Sequence, residues 1–168
     1  SLERVRSRTM AMQRSGELTE TVKLLFEEFK KLQTEPNGGI LSRGFITIIN
    51  EQKECFDLWI TDIDGTEIKQ FFKIDFTEPT QGKHIYQAWK NKQPFIIIDL
   101  QGEQLNKWLD YLVSVNFPVA PGIYGRRRVN NYIFHSKGFI GITSSLPLSS
   151  ESIQLLERFA KVFDLTYT

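Results

Sequence analysis

The chain has 168 residues, a length that suits one compact domain with a sizeable core and leaves little room for two. Its 21 Lys and Arg nearly balance its 20 Asp and Glu, and a net charge of +1 argues against a general polyanion binder that gathers nucleic acid or anionic lipid. Hydrophobic residues make up 40% and charged residues 24% of the chain, which argues against a disordered or fibrous protein.

Two helical patterns open the chain. The first predicts a helical stalk over residues 1–14, because apolar positions recur there at the alternating three and four spacing of a coiled-coil seam. These positions are Leu2, Val5, Thr9 and Met12. Ser15 is the expected cap of a second helix, whose apolar stripe runs from Leu18 to Leu32 and is wide enough to cover a sheet.

From residue 43 the period of the pattern changes to two, which is typical of strands. Residues 44–51 and 54–62 predict a hairpin, and residues 66–76 predict a third strand after the turn at 64–65. Thr80 is the expected N-cap of a short helix. The run from Phe95 to Leu100 is apolar on both faces and therefore predicts a central strand.

The second half predicts a helix, a final hairpin and a last helix. Apolar residues at helical spacing from Leu105 to Leu112 indicate the first helix, and residues 129–135 and 138–144 indicate the hairpin. Ser149 opens the last helix, which continues to the end of the chain. This order predicts an α+β fold in which helices pack on an antiparallel sheet of about six strands.

With these elements, the chain resembles the GAF family of small-molecule sensor domains, in particular a subgroup of Bacteroidetes-type sensor histidine kinases and related signalling proteins. The strings that carry the resemblance are LERVRSRTMAM at residues 2–12 and LERFAKVFDLTY at residues 156–167. They are similar to the helices that enter and leave such domains. The resemblance implies a linker helix at 1–14 and a GAF-like domain at 15–168, which belong to a longer cytoplasmic signalling protein and connect to neighbouring domains.

A small-molecule pocket is expected between the sheet and the two middle helices. Its candidate lining combines aromatic surfaces with polar or charged groups. These residues are Trp59, His84, Tyr86, Trp89 and Arg128. A guanidinium of the run 126–128 can clamp a carboxylate or phosphate, although the same run can also lie in solvent or pair with acidic helix faces. Nothing in these residues identifies a cofactor.

Signatures of catalysis and metal binding are missing from the sequence. His84 and His135 do not have metal-ligand spacing, and residues 62–65 match only a fragment of a calcium loop. There is no Gly-x-Ser-x-Gly elbow, phosphate-binding Gly-rich loop or cyclic-nucleotide signature. We therefore expect a protein that is not an enzyme and binds no metal.

The single Cys55 fits a reducing compartment, and no apolar run is long enough to span a bilayer, so we expect no direct membrane contact.

The last helix carries apolar residues at four, three and four spacing, which predicts a homodimer formed through the terminal helices. The expected interface residues are Leu2, Val5, Met12, Leu155, Phe159 and Val162. The alternative is that both apolar stripes of this helix pack on the sheet. Two further alternatives for the whole chain are a degenerate spacer that binds no ligand and a small enzyme on the same scaffold.

Overall fold

The computed structural model describes residues 2–4, 18–32, 40–62, 65–120 and 122–167. Within these ranges the strands are β1 (Leu41–Asn50), β2 (Cys55–Ile60), β3 (Phe72–Asp75), β4 (Phe95–Leu100), β5 (Arg128–His135) and β6 (Gly138–Ser144). The longer helices of the described part are α1 (Leu18–Leu32), α2 (Gly82–Lys90), α3 (Gly102–Ser114) and α4 (Ser150–Thr166).

The six strands form one antiparallel sheet in the order β3-β2-β1-β6-β5-β4. The predicted α+β fold with about six strands is therefore confirmed. The predicted hairpins are also present, since β1 pairs with β2 and β5 pairs with β6. β-Branched and aromatic residues dominate β1 and β6, which suits the two central, buried strands that they form.

Helices cover both faces of the sheet. On one face, α1 and α4 pack over a cluster that includes Ile133 of β5 and Phe159 of α4. On the other face, α2 and α3 pack over a cluster that includes Tyr132 of β5 and Trp108 of α3. Because successive strand residues point to opposite faces, neighbouring residues of β5 reach the two different clusters. The sheet is thus the wall that separates the two halves of the core.

The prediction that the run from Phe95 to Leu100 is central was wrong. This run forms β4, which lies at the edge of the sheet, and Ile97 is 41% exposed. The reason is that β6 pairs with β1 on one side and with β5 on the other, so the final hairpin occupies the centre and β4 is left outside β5. An apolar run by itself does not determine a place in the strand order.

The third strand and the cap of α2 also differ from the predictions. Only residues 72–75 of the predicted strand 66–76 form β3, with an isolated bridge between Thr61 and Glu67 before it. Helix α2 begins after Gln81 without a cap from Thr80, whose hydroxyl instead donates to Glu78. At α4 the expected cap is present, since Ser149 Oγ accepts a hydrogen bond from the backbone N of Ser152 over 3.2 Å.

The first described residues, Leu2 to Arg4, are helical and contact the domain. Leu2 packs against the cluster under α1 and α4, and Arg4 lies 2.7 Å from a carboxylate oxygen of the buried Glu28. The rest of the predicted stalk, the predicted cap at Ser15 and the seam residues Val5 and Met12 lie outside the described residues. The division into residues 1–14 and 15–168 stays a prediction.

Candidate functional site

A cavity of about 50 Å³ lies between the sheet and helices α2 and α3. Its apolar walls are Phe45, Phe56, Leu58, Ile74, Ile85, Trp108 and Phe139, and its polar lining is Arg128, Asn130, Tyr132 and Thr143. Three of these polar residues come from alternate positions of β5, which place them on the same sheet face. The place matches the expected pocket, whereas the polar lining is richer than the sequence suggested.

Gln81, at the start of α2, hydrogen-bonds two of the polar residues that line the cavity. Its Oε1 accepts hydrogen bonds from Asn130 Nδ2 at 3.1 Å and from the Tyr132 hydroxyl at 2.5 Å. Thr143 Oγ1 in turn donates to Asn130 Oδ1 over 2.8 Å. Gln81 Nε2 is buried and has no hydrogen-bond partner among the described residues. The amide oxygens of Gln81 and Asn130 therefore both accept hydrogen bonds, whereas Gln81 Nε2 donates none to the described residues.

Burial fixes the protonation of the network. Tyr132 is 5% exposed, and burial raises the pKa of its phenol far above the ordinary range. The hydroxyl therefore stays protonated at all physiological pH values and remains a donor. A tyrosinate nucleophile or base is excluded at this position.

Glu78 holds Gln81 in place. Its buried carboxylate accepts hydrogen bonds from the backbone N of Gln81 at 2.7 Å and of Gly82 at 3.0 Å, the first donors of α2. A carboxylate at a helix N-terminus satisfies these orphan donors and complements the helix dipole. The start of α2, and with it the network, is thereby anchored to the preceding loop.

Arg128 is the cationic residue of the cavity. It begins β5, it is only 8% exposed, and its Nε has no hydrogen-bond partner among the described residues. Burial lowers the pKa of its guanidinium below the ordinary value, although a guanidinium still keeps its charge at neutral pH. The cavity therefore contains a positive charge without an acidic partner in the described part of the chain.

The three arginines of the run 126–128 have different environments. Arg126 is exposed. Arg127 forms a bidentate ion pair with Asp99 of β4, and its Nε lies 2.9 Å from Oδ1, which lowers the pKa of that carboxyl. Only Arg128 is buried, so the expectation of solvent exposure or ion pairing describes two of the three residues.

A second buried guanidinium, that of Arg43 in β1, lies near Arg128. Arg43 is 3% exposed, donates to the Pro118 carbonyl over 3.3 Å and lies over the Phe117 ring. Burial, and next the charge of Arg128, lower the pKa of Arg43 to about 10. The two guanidiniums thus repel each other across this face of the sheet.

The predicted ligand-binding residues do not share one cavity. Arg128 lines it, whereas Trp59 lies in the cluster on the opposite sheet face and stacks on Phe71. His84 is exposed on α2. The turn of α2 directs Tyr86 and Trp89 toward the far end of the sheet, where Tyr86 donates to Glu51 and Trp89 to the His135 carbonyl.

A wider groove of about 560 Å³ lies at that far end, next to the end of α4. It is lined by Glu51, Trp89, Lys90, Lys92, Gln93, Pro94, Phe134, His135, Ser136 and Asp164. His135 is buried beside it, and burial lowers the pKa of its imidazole to about 4. In the described ranges no group of three or more His, Cys, Asp or Glu is placed to hold a metal ion.

The predicted dimer residues of α4 are mostly internal. Leu155 and Phe159 are buried in the cluster under α1 and α4, and Val162 is half-buried. Leu2 also packs on this cluster. The apolar surface that α4 leaves exposed is Leu165, at 86% exposure.

Comparisons with known proteins identify a similar solved structure. No family model matches the chain, and no curated protein matches it. Among solved structures, the GAF domain from an Acinetobacter phosphoenolpyruvate-protein phosphotransferase is similar, at 8% identity and a TM-score of 0.45, over 96% of this chain and 89% of that one. Across the described residues, no helix has both the length and the apolar character to cross a membrane.

Proposed function

We propose that this chain is a sensory or regulatory domain that binds a small molecule in the cavity between the sheet and helices α2 and α3. The observation that carries the proposal is Arg128, which lines the cavity and whose buried Nε has no hydrogen-bond partner among the described residues. Buried polar groups are nearly always hydrogen-bonded, and an unpaired one is costly. A ligand with an acceptor beside this group removes that cost. No reacting group is needed for such a role, and we propose that the chain is not itself an enzyme.

The sheet offers a direct path from the cavity to the terminal helix. Tyr132 lines the cavity, while the next residue, Ile133, packs on the cluster that holds Phe159 of α4. A ligand that favours one position of β5 therefore favours one position of α4. Such couplings between sites are typically about 1–3 kcal/mol, enough to change an output several-fold.

We also propose that this chain is part of a longer cytoplasmic protein, in which α4 continues toward an output module in the manner of a two-component sensor histidine kinase. In this proposal the protein works as a homodimer. Val162 and Leu165 lie three positions apart on one face of α4, and both leave apolar surface accessible, which supports an apolar contact beyond the domain. Nucleic acid and membrane are not proposed as partners, since the chain is nearly neutral.

A thermal-shift screen tests the ligand site. The wild-type domain would be tested against small acids, amino acids, nucleotides and neutral metabolites, beside Ile85→Phe, which fills the cavity from α2, and Ile97→Phe, the same change on the exposed edge of β4. A ligand at 100 times its Kd adds about 2.7 kcal/mol to stability. We expect that gain in wild type and Ile97→Phe and its loss in Ile85→Phe. An equal gain in all three would contradict the site.

A spacer that binds no ligand is the second candidate, and the small volume of about 50 Å³ favours it. Natural ligand pockets usually enclose roughly 300–1,000 Å³. A spacer gives no response to any compound but still associates through its terminal helices. Sedimentation of wild type and Leu165→Asp measures this second property, and the spacer predicts a dimer in wild type that the charged variant weakens.

A further inference from the structure

We propose that the ligand of this cavity is a small oxyanion, a short carboxylate or inorganic phosphate, and that Arg128 binds it. The inference rests on the proposed function, because it assigns a chemical class to the same cavity. It goes further by naming the charge, the size and the residue that recognises the ligand.

Arg128 brings a buried positive charge to the cavity. A buried guanidinium is normally compensated by a carboxylate or by several carbonyl acceptors. Neither is present here among the described residues: the side chain of Arg128 makes no hydrogen bond or ion pair with them, and its Nε is buried without a partner. Its neighbour Arg127 is paired with Asp99. Arg128 is thus left with a charge that a ligand can neutralise.

Arg43 increases the positive potential at this position. Its own contacts are a carbonyl, an aromatic face and the half-exposed Asp62, whose carboxylate lies 4.0 Å from the Arg43 guanidinium. Its Nε is buried and has no partner in the described part of the chain. This partly solvated carboxylate is within ion-pair distance of Arg43, and no carboxylate of the described residues is within that distance of Arg128. An anion in the cavity relieves the mutual repulsion of the two guanidiniums as well as the isolation of Arg128.

The polar lining supports the same chemistry. A guanidinium presents paired N–H donors that match the two oxygens of a carboxylate or phosphate. Asn130 also lines the cavity, and its Nδ2 carries a second hydrogen besides the one donated to Gln81. The apolar residues that line the cavity include Trp108 and Phe56. They exclude water and so strengthen the attraction between the Arg128 guanidinium and an anion.

The cavity has room for a ligand of only a few heavy atoms. A water molecule needs roughly 10–15 Å³ of cavity, so about 50 Å³ holds on the order of three to five water-sized groups. That room suits phosphate or acetate. A nucleotide requires a pocket several times larger.

The test measures anion binding at constant ionic strength, with chloride as the balancing salt. Titration calorimetry and thermal shift would follow sodium phosphate, acetate, pyruvate and oxalate on wild type, Arg128→Gln and Arg128→Lys. Arg126→Gln is the matched control, because it removes the same charge from the exposed neighbour two residues away. We expect one of these anions to raise the Tm of wild type and Arg126→Gln, and to bind Arg128→Gln at least tenfold more weakly.

A second measurement covers the case in which Arg128→Gln folds poorly. In anion-free buffer the substitution Arg128→Met removes an uncompensated charge, so we expect it to leave the unfolding midpoint unchanged or to raise it, and to abolish the anion response. A large fall in the midpoint without any anion would overturn the inference, since it would show that the protein itself already compensates the charge.

The outcomes separate this inference from the proposed function. A neutral compound that stabilises wild type but not Ile85→Phe, with no response to any anion, keeps the ligand site and overturns the oxyanion. An anion response lost in Arg128→Gln but kept in Ile85→Phe supports the anion site and contradicts the cavity. A response to phosphate alone assigns the phosphate source, and a response to the organic acids alone assigns the carboxylate.

Discussion

Asn130 of β5 donates a hydrogen bond from Nδ2 to Oε1 of Gln81, joining the sheet to the start of α2 over 3.1 Å. Both side chains are buried, and the two residues lie 49 positions apart in the chain. Asn130 Oδ1 also accepts from Thr143, so one amide connects a helix and two strands. This contact holds the polar side of the cavity together.

Asn130→Ala is expected to lower the free energy of unfolding by about 1–3 kcal/mol, since it leaves the buried Thr143 hydroxyl without its acceptor. Urea unfolding followed by tryptophan fluorescence measures the change. Gln87→Ala, at an exposed position of α2, is the control and should stay within about 0.5 kcal/mol of wild type. Equal effects of the two changes would show that the network contributes nothing.

Gly141 of β6 allows two aromatic side chains to meet across it. The rings of Phe45 and Tyr132, its partners on either side, lie 5.3 Å apart. A Cβ at position 141 would overlap the Phe45 ring and the Asn131 carbonyl. We therefore expect Gly141→Ala to cost about 2–4 kcal/mol of stability or to prevent folding.

Gly122→Ala is the matched comparison for this substitution. Gly122 has a φ of +81° and nothing within 4 Å of an added Cβ, so only backbone strain of about 1 kcal/mol is expected there. Thermal unfolding of the two variants measures the difference. Similar Tm values would contradict the close approach at Gly141.

The sequence predicted the strands that alternate over many residues. β5 and β6 were placed within one residue, because both alternation and the turn at 136–138 are local signals. The edge position of β4 was not predictable in the same way. It depends on β6 pairing with β1, a contact between residues about 100 positions apart that leaves no local pattern.

A cavity lies where the sequence predicts a pocket, but its lining differs from the prediction. Arg128, in the basic run just before the predicted strand 129–135, is among the predicted lining residues, whereas Asn130 and Tyr132, two and four positions further, are not. A polar residue at alternate positions of a buried strand is a signal that points to them. Gln81 carries no such signal, because its role depends on Glu78 fixing the start of α2.

Glu78→Ala is expected to destabilise the protein by about 2–3 kcal/mol, because the carboxylate accepts from the backbone N of Gln81 and Gly82 and from the Thr80 hydroxyl. Glu78→Gln keeps one acceptor oxygen and should lose about half as much. Thr80→Ala, at the residue predicted as the cap, is expected to cost less than about 1 kcal/mol. Urea unfolding distinguishes them, and a Thr80 effect larger than that of Glu78 would restore the sequence-based cap.

The buried His135 predicts a pH dependence of stability. Its imidazole packs on Phe163, with ring centroids 4.6 Å apart, and its Nδ1 accepts from the backbone N of Lys137. Burial lowers its folded pKa from 6.5 to about 4, against smaller opposing effects that include the charge of Asp164. The unfolded chain therefore binds a proton between these two values that the folded chain does not bind.

Because the unfolded chain binds more protons in this range, the free energy of unfolding falls as the pH falls. Stability from the neutral His135 is fully present above pH 6.5, falls as the pH drops below that value, and is gone at about pH 4, a total loss on the order of 3 kcal/mol. Urea unfolding from pH 8 to pH 4.5 is expected to show a shallower pH slope in His135→Gln than in wild type, whatever the variant loses in packing. A slope in His135→Gln as steep as in wild type would mean that the pKa of His135 is the same in the folded and the unfolded chain.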